Sequence, residues 1–451
     1  MSLFGTDGIR GVANRDLTTD LALSVGTAAG LHFGRHGAKT AAIGRDTRRS
    51  GPMLACAITA GLCSAGIEVF DLGVAPTPAV SWCVRSKALG FGVAVSASHN
   101  PPEDNGIKLF GPDGAKLAEG EEEEIAAGVG SRSPTSAAEV GLVRPAHELL
   151  DEYVEWLAGF LPEGLEGMRI AIDTANGAAY ELAPKLLRRL GAEVIATGVE
   201  PNGDNINVGV GATVPETIQR LTVESRAHIG ISFDGDADRC VFSDEKGELI
   251  NGDRTMAILA LYLKPNPPIV VGTVMSNLAF EEALEQNGFQ LERTAVGDRN
   301  VAERMHKLGA KIGGEQSGHI ILSDYSPTGD GLLTATVFLK ALKHFGGPAS
   351  ELPPKYENRP QVLINVRVER KDGWNASDRI RKAIAHGDEA VRGTGRVLVR
   401  ASGTQPVIRI MVEAADDKRR DEVADELVRA VVEELGGEVA SRVELTNALG
   451  D

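Results

Sequence analysis

One pattern occurs three times along this chain and limits what it can fold into. Residues 39–73 ("KTAAIGRDTRRSGPMLACAITAGLCSAGIEVFDLG"), 168–198 ("MRIAIDTANGAAYELAPKLLRRLGAEVIATG") and 267–297 ("PPIVVGTVMSNLAFEEALEQNGFQLERTAVG") share one order of features. Each has a short β-branched run, a polar turn, an apolar-periodic helix, a glycine and a second short strand. Such strand–helix–strand units imply parallel strands covered by helices. Three copies at wide spacing predict three α/β domains of related build. A length of 451 residues agrees, because it exceeds one hydrophobic core and fits about three to four domains.

The stretches between the units set the boundaries. "GVGSRSPTSAAEVG" (128–141) reads as a surface excursion, and "AHELLDEYVEWLAGFL" (146–161) as a helix leading into the second unit. "LYLKPNPP" (261–268) is a helix end and a proline-rich loop, and "ELPPKYENRPQ" (351–361) is the clearest linker. After it come a strand, a helix, two strands ("RVLVRASG", "VIRIMVEA") and a helix from Asp417 to about Glu434. The expected fold is therefore α/β: three related α/β domains with mixed or parallel sheets, plus a C-terminal α+β domain, which the family resemblance given below would set around a central cleft. The expected domains are 1–150, 151–253, 254–358 and 359–451.

Charge narrows the partners. A formal net charge of -16 argues against general affinity for nucleic acid, yet a local basic pocket can still hold a small phosphorylated ligand. No run of 18 or more apolar residues occurs, and "MSLFGTDGIRG" is neither a signal nor a transit peptide, so no membrane and a cytoplasmic location are expected. The cysteines lack metal-site spacing. Cys56 and Cys63, seven apart, should share one packed helix face as structural thiols.

The most specific chemical signal is "ISFDGDADR" (231–239). Asp234, Asp236 and Asp238 follow an apolar strand, separated only by Gly235 and Ala237. Carboxylates this close repel unless a cation lies among them, and an all-oxygen ligand set favours Mg²⁺. An EF-hand fails, because its glycine and distal glutamate are out of register. A second signal is "FGVAVSASHNPPEDNGIKLFG" (91–111), where a strand is expected to run to Ser98 and to be stopped by His99-Asn100-Pro101-Pro102. Gly106 should let the loop fold back toward Lys108. A serine hydroxyl is a poor nucleophile unaided, but as a phosphoryl carrier it would gain from a neighbouring metal.

Three weaker signals complete the set. "RASGTQPVIRI" (400–410) joins Ser402, Gly403 and Thr404 to Arg400 and Arg409, a suitable cradle for phosphate or an ordinary hairpin. "GGEQSGH" (313–319), read as an extended loop, would point Glu315, Ser317 and His319 the same way, which suits sugar hydroxyls and acid–base work. "FGTDGIRG" (4–11) and "GRDTRRSG" (44–51) are arginine-bearing loops without the Walker A ending, and Arg10 is held near glycines.

In this order, "GTDGIRG", "SASHNP", "DGDADR", "GGEQSGH" and "RASGT" resemble the motif set of the α-D-phosphohexomutase family, over essentially the whole chain. "FGTDGIRG" and "GGEQSGH" look most like the branch that makes glucosamine 1-phosphate. The resemblance implies that Ser98 is phosphorylated and that Asp234, Asp236 and Asp238 hold Mg²⁺ against that phosphate, with Ser98 itself a ligand. It implies that Glu315 and Ser317 hold sugar hydroxyls. Arg400, Ser402, Gly403, Thr404 and Arg409 would hold the non-reacting phosphate. Arg10, His99, Lys108, Arg239 and His319 would line the catalytic cleft, with Lys108 the first choice for moving the proton and His319 the second.

The implied activity is interconversion of glucosamine 6-phosphate and glucosamine 1-phosphate through a phosphoserine enzyme, with a hexosamine 1,6-bisphosphate as intermediate and activator. Alternatives are glucose or mannose phosphate turnover by the same chemistry, a metal-dependent sugar phosphatase, or a non-catalytic sugar-phosphate sensor. The expected partner is a small phosphosugar, and a homodimer is left open. Gln405, Asn300, Val210–Val214 and Ala237 depart from the branch pattern, mostly in loops that help to choose the sugar.

Overall fold

The computed structural model describes residues 3–5, 7–131, 135–402 and 406–446. They gather into two compact units: Met1–Val274 with Glu292–Pro353, and Met275–Leu291 with Pro354–Asp451. The first unit contains the first two α/β sheets and most of the third.

The three repeats form as the pattern requires. Thr40–Arg45 and Glu68–Val74 pair in parallel around the helix Gly51–Ser64, and Arg169–Asp173 and Glu193–Thr197 do so around Leu182–Arg189. In the third repeat the strands Ile269–Thr273 and Gln290–Thr294 neighbour each other in one sheet, and the helix Leu278–Gln286 comes between them in chain order. Each sheet then continues alike. A third strand joins parallel to the first: Phe91–Val95, Ile229–Phe233 and Ile312–Gly314. It turns back into an antiparallel partner: Asp104–Phe110, Cys240–Asp244 and Ile320–Leu322. The sheets are thus mixed, and each hairpin carries one of the sequence motifs.

Apolar packing fixes these sheets. In the first domain the helices Thr19–Arg35 and Gly51–Ser64 touch backbone to backbone: a β-carbon on Gly26 would lie 2.3 Å from the Ile58 carbonyl, and one on Gly61 2.3 Å from that of Leu23. Phe33 stacks on Phe91 of the sheet at 4.3 Å, and Phe242 of the second sheet on Phe338 of the helix Gly331–Phe345 at 4.0 Å. Cys83 and Cys240 are buried in this core, and burial pushes the Cys83 thiol up to about 12. Cys63 is half-buried, but Cys56 is exposed, contrary to the packed face expected for both. The helix seats itself through Leu54, Ile58, Gly61 and Leu62 instead.

In the second unit Arg396–Ala401, Val407–Glu413, Gln361–Arg367 and Glu438–Glu444 form an antiparallel sheet in that order. Helices Asp378–Ala390 and Asp417–Leu435 cover it over a core that includes Val362, Ile364, Ile410 and Leu427. The last strand was not expected from the sequence. No helix among the described residues is long and apolar enough to cross a membrane.

Candidate active site

The first two hairpin loops meet. Ser98 Oγ donates to Asp234 Oδ2 at 2.5 Å, and Lys108 Nζ lies 2.9 Å from Asp236 Oδ2 and 3.3 Å from Asp238 Oδ2. Ser98, Lys108 and all three aspartates are buried, with Ser98 only 1% exposed. Lys108 reaches the cluster from the strand Asp104–Phe110, opposite Ala94.

The strand before Ser98 is shorter than expected. It ends at Val95, and the chain is turned by Ser98 itself, whose φ of 52° is left-handed. A residue with a β-carbon held there costs about 1–3 kcal/mol, so the surroundings must impose it. They do so through hydrogen bonds. Ser98 N–H donates to Ser96 Oγ at 2.9 Å, Ser96 Oγ donates to Asp46 Oδ2 at 2.6 Å, and Arg48 Nε donates to the same oxygen at 2.9 Å. Arg48, 1% exposed, donates onward to the carbonyls of Ser98, Asn100, Pro101 and Asp104. Gly106 serves a purpose other than loop freedom: it sits inside a strand where a β-carbon would lie 2.5 Å from the Ser96 carbonyl.

The aspartate loop is equally fixed. The Gly235, Asp236 and Ala237 carbonyls accept from the backbone N–H groups of Ala178, Thr77 and Gly331 at 2.8, 3.0 and 3.0 Å. Thr77 Oγ1 also donates to Asp236 Oδ2 at 2.6 Å. One ligand atom from each aspartate can be chosen so that all lie within 4.8 Å of one another. Asp236 Oδ1 and Asp238 Oδ1 are buried without a hydrogen bond. Buried, orphaned carboxylate oxygens in an all-oxygen set fit a hard cation such as Mg²⁺.

Electrostatics divides the acids. Burial, then repulsion from Asp238 and Asp236, raises the Asp234 pKa well above the usual carboxylate range. Burial opposes ionisation of Asp236 too, but Lys108 and the Thr77 hydrogen bond outweigh it and lower its pKa. Burial also works against the Lys108 ammonium, yet Asp236, Asp7 and Asp238 hold its pKa well above the ordinary lysine value.

From Lys108 a line of alternating charges leads to the third hairpin. Asp7 lies 3.1 Å from Lys108 Nζ and pairs with Lys116 and Arg10; Lys116 pairs with Asp298; and Asp298 Oδ2 lies 3.7 Å from His319 Nε2. Neither ring nitrogen of His319 makes a hydrogen bond. The loop that carries it is a tight turn, closed by Glu315 N–H to His319 O and Gly318 N–H to Glu315 O, both at 3.0 Å. The expectation of an extended loop with three parallel side chains fails there, because a turn rotates successive residues off a common face. Glu315 Oε1 accepts from Gly297 N–H at 2.9 Å, and Ser317 is buried.

Three further candidates of the first unit fall around these groups. Arg10 donates to Asn100 Oδ1 at 2.8 Å, His99 Nδ1 lies 3.4 Å from Ser98 Oγ, and Arg239 N–H donates to Asp234 Oδ1 at 3.2 Å. In the second unit Arg400 and Arg409 stand directly opposite across two strands, and Arg409 Nε is buried without a hydrogen bond. Burial and Arg409 together lower the Arg400 pKa. Two facing guanidiniums fit an anion. Ser402 N–H donates to Val407 O at 2.8 Å, while Gly403, Thr404 and Gln405 lie outside the described residues.

Sequence reasoning missed Asp7, Asp46, Arg48, Thr77, Ser96, Lys116, Asn207 and Asp298. "GRDTRRSG" offered three arginines with no sign of which one is buried. Asp46 lies in the same motif, Ser96 lies two residues before Ser98, Thr77 and Asp298 begin helices, and the rest are single polar residues with no pattern around them.

Comparison with known proteins decides the family. Models described as phosphoglucomutase/phosphomannomutase alpha/beta/alpha domains I, II and III match residues 1–135, 151–247 and 251–358, and the C-terminal domain model matches 363–430. The chain belongs to the phosphohexomutase family. It is 48% identical to a phosphoglucosamine mutase of Symbiobacterium thermophilum, over 96% of this chain and 99% of that one. It is also 48% identical to a phosphoglucosamine mutase of Paracoccus denitrificans, over 95% and 98%. A phosphoglucomutase/phosphomannomutase family protein of Burkholderia thailandensis has the same fold, with a TM-score of 0.82 at 26% identity, over 98% of this chain and 99% of that one. An N-acetylphosphoglucosamine mutase of Aspergillus fumigatus, solved with GlcNAc-6P and magnesium, shares the fold at 19% identity with a TM-score of 0.69, over 95% of each chain.

The positions expected to set the sugar do not all lie in loops: Asn300 stands in the first turn of the helix Asp298–Leu308. Asn300 Nδ2 donates to Val296 O at 2.9 Å, closing its own turn. Gly211, within the Val210–Val214 segment, donates its N–H to Asp173 Oδ2 at 2.7 Å. Ala237 is left-handed at φ 56°, which explains why glycine suits that position.

Proposed function

We propose that this protein is a cytoplasmic phosphoglucosamine mutase that interconverts glucosamine 6-phosphate and glucosamine 1-phosphate through phospho-Ser98. The contact between Ser98 Oγ and Asp234, inside a buried cluster of three aspartates, carries this reading. The phosphoglucosamine mutases that match nearly end to end support the choice of sugar. The work divides among residues 1–150 (phosphoserine), 151–253 (metal), 254–358 (sugar) and 359–451 (phosphate).

The reaction runs in two mirrored transfers. The P–O bond of phospho-Ser98 breaks as a bond forms to the free hydroxyl of glucosamine 6-phosphate, giving the 1,6-bisphosphate. The bisphosphate turns over and returns its other phosphoryl group to Ser98, and the same bisphosphate serves as activator. Asp234, Asp236 and Asp238 would hold Mg²⁺, which supplies neutralisation of phosphoryl charge. Lys108, held as an ammonium, stabilises that charge and protonates Ser98 Oγ as it leaves. His319, with both ring nitrogens lacking hydrogen bonds, takes the hydroxyl proton. Glu315 and Ser317 hold sugar hydroxyls, Arg10, His99 and Arg239 line the site, and Arg400, Ser402, Gly403, Thr404 and Arg409 grip the non-reacting phosphate.

The deciding experiment compares turnover of glucosamine, glucose and mannose 6-phosphates with Mg²⁺ and bisphosphate activator. Strong preference for glucosamine is the expected result, and equal or faster glucose or mannose turnover would reassign the substrate. Ser98→Ala should abolish turnover in a folded protein. Net phosphate release without isomer formation would favour a phosphatase. A homodimer is the assembly to test for, by light scattering.

A further inference from the structure

Ser98 sits in a backbone conformation that its own chemistry disfavours, and two side chains from different parts of the fold hold it there. Arg48 Nη2 and Asn207 Nδ2 each donate at 2.9 Å to the Ser98 carbonyl oxygen, so both of its lone pairs are engaged. Arg48 belongs to the first α/β domain and is anchored by Asp46. Asn207 comes from the loop after the strand Glu193–Thr197, in the same domain as the aspartate cluster. It is left-handed itself, at φ 62°, and its Nδ2 also donates to the Asn100 carbonyl at 3.1 Å while its Oδ1 has no hydrogen bond. The amide thus serves the Ser98 loop purely as a donor. Gly235 leaves the room for this approach, since a β-carbon there would lie 2.4 Å from the same carbonyl.

We propose that Asn207, working with Arg48, is a positioning residue for the phosphoryl carrier: it holds the Ser98 carbonyl so that Oγ faces the aspartates. The inference rests on Ser98 being the carrier. Without the two donors the chain relaxes toward the extended course of the preceding strand, and Oγ swings away from Asp234. Asn207 and Asp234 share a domain, so the clamp and the acid cluster reach Ser98 together. The carrier is therefore aligned only when the first and second domains are seated against each other.

The test uses the full-length enzyme with Mg²⁺. Asn207→Gly keeps a comfortable left-handed backbone and removes the donors, while Asn207→Asp keeps the shape and sets an acceptor against the carbonyl. Dephosphorylated protein is charged with glucosamine 1,6-bisphosphate, and phosphate on Ser98 is followed by intact mass. Both variants should charge at least about ten-fold more slowly, as expected for one lost hydrogen bond in the reacting arrangement. Turnover should fall by the same factor, with KM for glucosamine 6-phosphate within about two-fold of wild type and the melting curve retained. Normal charging by either folded variant overturns the proposal, and so does a loss confined to KM. If wild type never carries phosphate on Ser98, the carrier reading fails, and this proposal with it.

Discussion

Ala237 and Ser98 both carry a β-carbon in left-handed backbone, at φ 56° and 52°, but only Ser98 sets a polar side chain against an aspartate. Ala237→Gly should therefore relieve strain without touching a ligand oxygen. The expected gain is about 0.5–1 kcal/mol, seen as a higher urea midpoint at unchanged slope, and a lower midpoint would contradict it. Gly235 sets the opposite case. Gly235→Ala would drive a methyl into the Ser98 carbonyl and should cut turnover more than about ten-fold while circular dichroism stays native. At this scale the sequence was legible where chemistry was unusual. Ser98 and the three aspartates stood out because alternating carboxylates and an abruptly ended strand are rare. Arg48 did not, because Arg45, Arg48 and Arg49 look alike until the fold buries one of them.

Among elements, the decisive parts are helix starts. The helices Thr77–Ser86 and Gly331–Phe345 each use their first N–H to hold a carbonyl of the aspartate loop, bringing the positive ends of two helix dipoles toward an acidic cluster. Asp330 caps the second helix, accepting from Leu333 N–H and from the Tyr153 hydroxyl at 2.9 Å. Burial raises its pKa to about 6 despite those hydrogen bonds. Below about pH 4 the carboxyl is protonated folded or unfolded; between about pH 4 and 6 only the unfolded chain ionises it, so stability falls across that window and is level above it. Asp330→Asn keeps a capping oxygen and removes the ionisation. Its unfolding free energy relative to wild type, from urea titrations, should grow from about pH 4.5 to about pH 7 by at most about 2–3 kcal/mol, and a constant difference would refute the assignment. Strands and helices with apolar periodicity were readable from sequence. The strand Glu438–Glu444 was not, because it is an edge strand with six of its seven residues exposed and lacks a buried alternation. The hairpin at Glu315 was misread as extended, because period-two spacing also occurs in tight turns.

For the molecule as a whole, the metal reading makes a stability prediction. A cation that binds only the folded aspartate cluster stabilises the protein by mass action, about 2.7 kcal/mol at a hundred-fold excess over its dissociation constant. Mg²⁺ should raise the melting temperature of wild type. In Asp236→Ala both that rise and turnover should be lost together, and a normal Mg²⁺ titration in this variant would remove Asp236 from the ligand set. The overall plan was visible in the threefold strand–helix–strand pattern. How Asp7, Lys116 and Asp298 line up was not, since it depends on three loops that only folding brings side by side.

The recurrent hairpin also has a consequence for how such a chain can change. Each of the first three sheets hangs its motif-bearing loop between the same two strand positions, and each loop carries different side chains. The frame that supports a loop does not depend on the loop's content. A mutation at one hairpin tip can therefore change what that tip presents while its scaffold stays folded, although tips in contact, such as Gly235 against the Ser98 carbonyl, change together. A chain built this way can be retuned piecemeal, by inheritance or by design, without refolding its scaffold.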